Sequence, residues 1–253
     1  IFFSRKAFKS SLIELDASKT LQFPEKNGCK LLHDKEKEKI KLEIPQNAEN
    51  VTLNYKGKIF VDDLYGLYQT KDVVTGAIGL ATQFEPDYAR RVFPCIDSPH
   101  ARSIFRLSLY ADKEMIALAN TKVETQENYK GGILYHFKET PKMPSYLVAF
   151  CVGKWDKIST TTKRGVEISV YTLKGRSERG KFTLNIAADS IDFFEQYTGV
   201  NYVMDCLQIV AIPDFAAGAM ENYGLVTCRD FFVDSDNETS IISLSRIAEV
   251  IVH

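Results

Sequence analysis

Leu207-Gln208-Ile209-Val210-Ala211-Ile212 runs straight into Pro213-Asp214-Phe215-Ala216-Ala217-Gly218-Ala219-Met220-Glu221-Asn222-Tyr223-Gly224, and the reading of the whole chain turns on this stretch. Six apolar or nearly apolar residues in a row predict a strand buried on both faces. Pro213 has no N–H to give a ladder, so the strand closes there. Four small residues then lead up to Met220 and a lone carboxylate. An extended backbone with so little side chain lets a second peptide come close and pair with it as an added strand. Glu221 sets a negative charge at the end of that groove, where the ammonium of a polypeptide's first residue would sit. The plain alternative is a Gly/Ala-rich turn with a surface Glu, and pattern alone leaves both open.

Outward from this stretch the chain divides in two. Before about Trp155 the signals are strands. Ile104-Phe105-Arg106-Leu107-Ser108-Leu109 alternates with period two, Ile133 to Phe137 follows, and Tyr146 to Val152 is a short apolar run that reads as a fully buried strand. Gly131-Gly132 and Pro141 through Pro144 punctuate them, which predicts a mostly antiparallel β sandwich or saddle. His33 to Glu43 alternates in sign and reads as a solvated edge. After Trp155, itself expected to pack at the boundary, strands mix with helices. Val166, Ile168 and Val170 predict a half-buried strand. Phe182, Ile186, Ile191, Phe194 and Tyr197 mark one broad face of a helix that Gly199 ends, and these residues read as core packing. The polar cluster Asp234 to Ser240 opens a last helix with Leu244, Ile247, Ala248 and Ile251 at helical spacing. That period breaks off at His253, so the chain reads as truncated. The expected organisation is a β domain over residues 1–156 and the truncated start of an α/β domain over residues 157–253.

Composition removes several function classes. The 253 residues are 45% hydrophobic and 26% charged, which describes a globular chain. Thirty-two Lys and Arg against 33 Asp and Glu leave a formal net charge of -1, so no global field attracts nucleic acid or anionic lipid. Nothing approaches the roughly 20 apolar residues of a membrane helix. Cys29, Cys95, Cys151, Cys206 and Cys228 contain no CxxC pair and read as reduced core thiols, which points to the cytoplasm. The sequons at Asn50 and Asn237 point the other way, to a membrane-anchored or secreted protein.

Gly218-Ala219-Met220-Glu221-Asn222 resembles the exopeptidase motif of the gluzincin (M1-type) zinc aminopeptidase family. Other matches stand in the expected order: Thr82-Gln83-Phe84-Glu85-Pro86, Arg90-Arg91-Val92-Phe93-Pro94-Cys95-Ile96-Asp97, Glu139-Thr140-Pro141-Lys142-Met143, Tyr146-Leu147-Val148-Ala149-Phe150 and Gly180-Lys181-Phe182. The resemblance covers about residues 67–253 well and the earlier part loosely, where the family's first strands are expected to be missing. Departures are Ser98 and Asp230 where the family usually has Glu, and Tyr223 where it has Trp.

The resemblance implies that the second domain is thermolysin-like and that the parent protein is a zinc-dependent aminopeptidase acting on peptides with a free N-terminus. It implies that Glu221 and Glu85 contact the α-ammonium and that Gly218, Ala219, Met220 and Asn222 line the substrate. It implies that His253 is the first zinc ligand, at the start of a His-Glu-x-x-His helix. The remaining ligands, the general-base Glu and the oxyanion-stabilising Tyr fall outside this sequence, so the chain alone is expected to be inactive and metal-free. Two other readings remain. One is the epoxide-hydrolase branch of the family, which typically has Gly-Gly-Met-Glu-Asn, so Ala219 argues against it. The other is a non-catalytic peptide-binding remnant. Similarity over residues 175–187 to the puromycin-sensitive branch again implies the cytoplasm.

Overall fold

A computed structural model describes residues 2–4, 10–24, 29–45 and 48–253. The chain opens with β1 (Phe2–Ser4), β2 (Leu12–Asp16), β3 (Lys30–Asp34), β4 (Lys39–Glu43) and β5 (Asn50–Thr52). β1 pairs with β5, and β4 lies between β2 and β3. The alternating charges of His33 to Glu43 therefore form more than an edge: β4 is the central strand, and between its solvated lysines Ile40 and Leu42 point into a core. Period two lets one strand serve water and core together.

β6 (Gly66–Lys71) and β7 (Ile78–Gln83) form a hairpin, followed by β8 (Arg102–Ser103), β9 (Ser108–Asp112), β10 (Ile116–Ala119), β11 (Val123–Tyr129), β12 (Gly132–Phe137), β13 (Met143–Pro144) and β14 (Phe150–Gly153). They assemble as β10-β14-β7-β6, β11-β12-β9 and β8-β13, with every pairing antiparallel. Two expected strands differ. Ile104 to Arg106 leaves the ladder because Phe105 is held by Thr140, donating to its Oγ1 at 2.9 Å and accepting from its N–H at 2.9 Å, while Leu107 O still accepts from Phe137 N at 3.0 Å. Tyr146 to Val152 is a strand only from Phe150. Ser145–Leu147 is a 3-10 turn, and the side chain of Asn120 accepts from Ala149 N at 2.9 Å and donates to Leu147 O at 2.8 Å.

The remainder is β15 (Trp155–Thr161), β16 (Glu167–Leu173), α1 (Lys181–Thr198), β17 (Cys206–Ile212), β18 (Ala219–Met220), β19 (Leu225–Arg229) and α2 (Ile241–Val252). One mixed sheet runs β15-β16-β17-β19-β18. β16, β17 and β19 are parallel neighbours, and β15 and β18 are antiparallel edges. α1 ends at Gly199 in the left-handed region (φ 70°), and Ser240 caps α2 by accepting from Ser243 N. β16 is buried from Ile168 to Leu173, not half-buried, because both faces of the sheet are covered. One face carries α1 and α2. The other joins the β domain in a cluster that includes Tyr68, Phe84, Met143, Trp155, Val210, Ile212, Met220 and Leu225.

The buried row of α1 is Leu184, Ala187 and Ile191, with Thr183 beside it. The aromatic face expected from the sequence mixes two adjacent rows. Only the row with small residues approaches the sheet, leaving Phe194 and Tyr197 exposed, the latter at 78%.

The architecture is thus mostly β, with a β domain followed by the start of an α/β peptidase domain.

Candidate functional site: an open sheet edge beside a carboxylate

The strand that carries Ala219 and Met220 is the edge of the mixed sheet, and its backbone bonding can be read residue by residue. Arg229 N donates to Gly218 O at 2.9 Å, while Ala219 stands opposite Cys228 and Met220 opposite Thr227. In an antiparallel pair hydrogen-bonded and non-hydrogen-bonded positions alternate. Gly218 and Met220 therefore spend their backbone groups on β19, and Ala219 turns its N–H and C=O to the open edge. A peptide laid along that edge meets one free donor and one free acceptor.

The side chains alternate as well. Met220 is 1% exposed and lies in the cluster shared with the β domain, whereas Ala219 packs against the cluster on the helix face of the sheet. Glu221, two residues on from Ala219, is exposed. The Asn222 side chain turns inward, donating at 3.3–3.4 Å to Met220 O, Leu225 O and Thr227 Oγ1, so it shapes the turn that follows the strand. Gly218 is small for a reason: a Cβ there would stand 3.3 Å from the ring of Phe232. Before the strand, the Arg229 guanidinium donates to Phe215 O at 2.6 and 3.2 Å and to Ala216 O at 3.4 Å, giving the small-residue run a fixed path.

Glu85 is exposed just past the end of β7, and its peptide bond to Pro86 is cis. Phe84 and Met220, the residues immediately before Glu85 and Glu221, are members of one buried cluster. That cluster fixes the backbone under both carboxylates. His253 is exposed at the end of α2, where its N–H donates to Glu249 O at 3.2 Å. Among the described residues no hydrogen bond or ion pair joins Glu85, Glu221 and His253. Among the described residues no three His, Cys, Asp or Glu side chains form a group able to hold a metal ion. A catalytic zinc centre takes three protein ligands, and the described residues do not by themselves make one.

Downstream of β19 the chain passes a half-buried charge cluster. Burial, followed by the neighbouring Asp230 carboxylate, pushes Asp234 up to about 6, and its Oδ1 has no hydrogen-bond partner. Arg176 and Arg179 stand 3.8 and 3.9 Å from its other oxygen. Asp230 is itself raised by burial, while Asp72 of the β domain is lowered, first by the Thr75 hydroxyl.

Some residues that shape the site were not singled out from the sequence. Gln83, two before Glu85, is buried with an unpartnered Oε1. Arg229 carries no periodic signal. Tyr68 and Asn120 hold the motif from 146 and 103 residues away, a separation no local pattern reveals.

These features define a class: a β domain packed against a mixed sheet whose edge strand leaves backbone groups of Ala219 open beside an acidic side chain. Residues 4–147 match the Peptidase M1 N-terminal domain and residues 182–253 match the Peptidase family M1 domain. The chain belongs to the M1 family of peptidases. It is 37% identical to the puromycin-sensitive aminopeptidase of Caenorhabditis elegans over 246 residues, 94% of this chain and 25% of that protein. It is 37% identical to a probable aminopeptidase 1 of Saccharolobus solfataricus over 202 residues, 79% of this chain and 25% of the relative. Aminopeptidase M1 of Arabidopsis thaliana is 36% identical over 214 residues, 83% of this chain and 24% of the relative. The chain thus spans about a quarter of the length of these curated relatives.

Proposed function

We propose that the polypeptide to which this chain belongs is an aminopeptidase that removes N-terminal residues from peptides, and that this chain supplies the part of the site that holds the substrate's first residues. The supporting observation is the open edge at Ala219. An extended peptide that pairs there runs alongside Glu221, and an ammonium at its start is held by the carboxylate. Glu85 of the β domain is taken as a second carboxylate for the same ammonium, supported by the buried cluster that its neighbour Phe84 shares with Met220. Hydrogen bonds to charged groups contribute roughly 1.5–3 kcal/mol, or about one to two decades in selection between free and blocked termini. Pairing along the backbone gives affinity for any sequence, and the carboxylates fix which end enters.

Zinc belongs to the same proposal for the whole polypeptide, where it would polarise the scissile carbonyl. His253 is the one residue of this chain assigned to it. Residues 1–156 and 157–253 are taken as the β domain and the start of the peptidase domain. A cytoplasmic role in peptide catabolism is supported by five cysteines that form no disulfide.

Glu221→Gln tests the assignment. In a polypeptide with the complete peptidase domain, kcat/KM for peptides with a free N-terminus should fall at least about tenfold, the lower end of the range for a charged hydrogen bond. Unchanged kinetics, or equal cleavage of N-acetylated peptides by the unsubstituted enzyme, would overturn it.

A further inference from the structure

The run from Asp214 to Gly224 is gripped at both ends by the β domain. At the start, Tyr68 Oη donates to Asp214 O at 3.0 Å, Asp214 N donates to Thr70 Oγ1 at 3.3 Å, and Lys71 N donates to Asp214 Oδ2 at 3.1 Å. All three partners lie on β6. Tyr68 and Thr70 are buried, at 0% and 2% exposure. At the far end, Asn120 Nδ2 donates to Tyr223 O at 2.8 Å, while the same side chain is fixed by Leu147 O and Ala149 N. Between these grips the only regular pairing is the two-residue β18 on β19.

We infer that Tyr68 and Thr70 on β6, together with Asn120, are positioning residues that set the height and register of the peptide-accepting edge without touching the peptide. The inference rests on the reading that Ala219 and Glu221 bind a peptide's first residues. A two-residue strand has few ladder bonds, so the path from Asp214 to Ala219 is set jointly by the β6 contacts at Asp214 and by Arg229, which holds Phe215 O, Ala216 O and Gly218 O, and loss of the β6 contacts leaves the run held from the Arg229 side alone. Backbone hydrogen bonds weaken steeply once distance and angle leave a narrow range, so small shifts of that edge cost affinity.

Tyr68→Phe and Thr70→Val each remove one polar contact and keep the buried volume. Tyr135→Phe is the matched comparison: a buried tyrosine of the β domain whose hydroxyl donates to Met115 O at 3.3 Å, away from the motif. The 253-residue chain is titrated with Leu-Ala-Ala amide and with its N-acetylated form, reading the amide resonances of Ala219 and Glu221. Amide hydrogen exchange is followed at Phe215 to Ala217, and thermal stability is measured alongside. Tyr68→Phe and Thr70→Val should each weaken binding of the free-amine peptide by about fivefold, the loss of one hydrogen bond. Exchange at the three amides should rise by a similar factor. Tyr135→Phe should lower stability comparably and change neither readout.

If the unsubstituted chain discriminates the two peptides but the β6 variants bind like it, the positioning role is overturned and the peptide-binding reading stands. A fall in affinity that also appears in Tyr135→Phe, in proportion to lost stability, overturns the role as well. If the unsubstituted chain fails to distinguish the free from the blocked peptide, the reading of Glu221 falls and takes this inference with it.

Discussion

Replacing Gly224 with Ala should damage the chain far more than the addition of one methyl group suggests. Gly224 has φ 70°, in the left-handed region, and a Cβ built on it would stand 2.1 Å from Asn120 O and 3.0 Å from Met204 Cε. Left-handed backbone costs an L side chain about 1–2 kcal/mol. The overlap adds more, because Asn120 O is backbone and must be displaced by about 1 Å to reach ordinary contact. Three hydrogen bonds run through that point: Gln208 N to Gly224 O at 3.0 Å, Gln208 Nε2 to Ala119 O at 2.8 Å and Asn120 Nδ2 to Tyr223 O at 2.8 Å. Losing two of them at about 1 kcal/mol each brings the total to about 3–4 kcal/mol. Gly76 isolates the contact term, since it has φ 71° and nothing within 4 Å of a built Cβ. Gly76→Ala should cost about 1 kcal/mol, from backbone strain alone. Urea unfolding of the two variants beside the unsubstituted chain measures the difference. A gap below about 1 kcal/mol would show that the close approach of Gly224 to Asn120 does not tie the two parts of the chain together.

Ala219→Pro removes the outward N–H of β18 but none of the ladder bonds to β19, so peptide binding should be lost while stability changes by less than about 1 kcal/mol; a variant that still binds the free-amine peptide would refute the edge-pairing geometry. Asp234 is raised from 3.8 to about 6, so the folded chain holds a proton more tightly than the unfolded chain between roughly pH 4 and 6. Its contribution to stability falls as pH rises through that window, and the penalty is complete above it. Asp234→Asn should flatten that part of the profile and add on the order of 1–2 kcal/mol at pH 7. Parallel profiles for the two proteins would sink the assignment.

Periodicity revealed the elements that bury one face continuously. α2 is legible because Leu244, Ile247, Ala248 and Ile251 all face one way and Ser240 caps the start, and α1 because Gly199 ends it. The buried row of α1 is less legible: Thr183 and Ala187 fit closely against the sheet, and closeness favours small residues over the aromatics that dominate a hydrophobic count. Ile104 to Leu107 alternates as a strand would, yet a hydroxyl from Thr140 takes over the bonding of Phe105, and nothing in the alternation records that competitor. For the site, a run of small residues ahead of Glu221 suggested an accessible backbone, and the resemblance supplied the roles. Which residue of the run turns its amide outward depends on pairing with β19, and what holds the run depends on Tyr68 and Asn120. Those are tertiary facts, written at separations of 146 and 103 residues.

The cluster that unites Tyr68, Phe84 and Met143 with Val210, Ile212 and Met220 also limits how such proteins can be recombined. A chimera spliced at residue 156 would join halves of a single interior inherited from different parents, and mismatched methyl groups would surface as distortion at Ala219 before they surfaced as unfolding. Engineers recombining members of this family should therefore move the β domain and the motif together, as one heritable block.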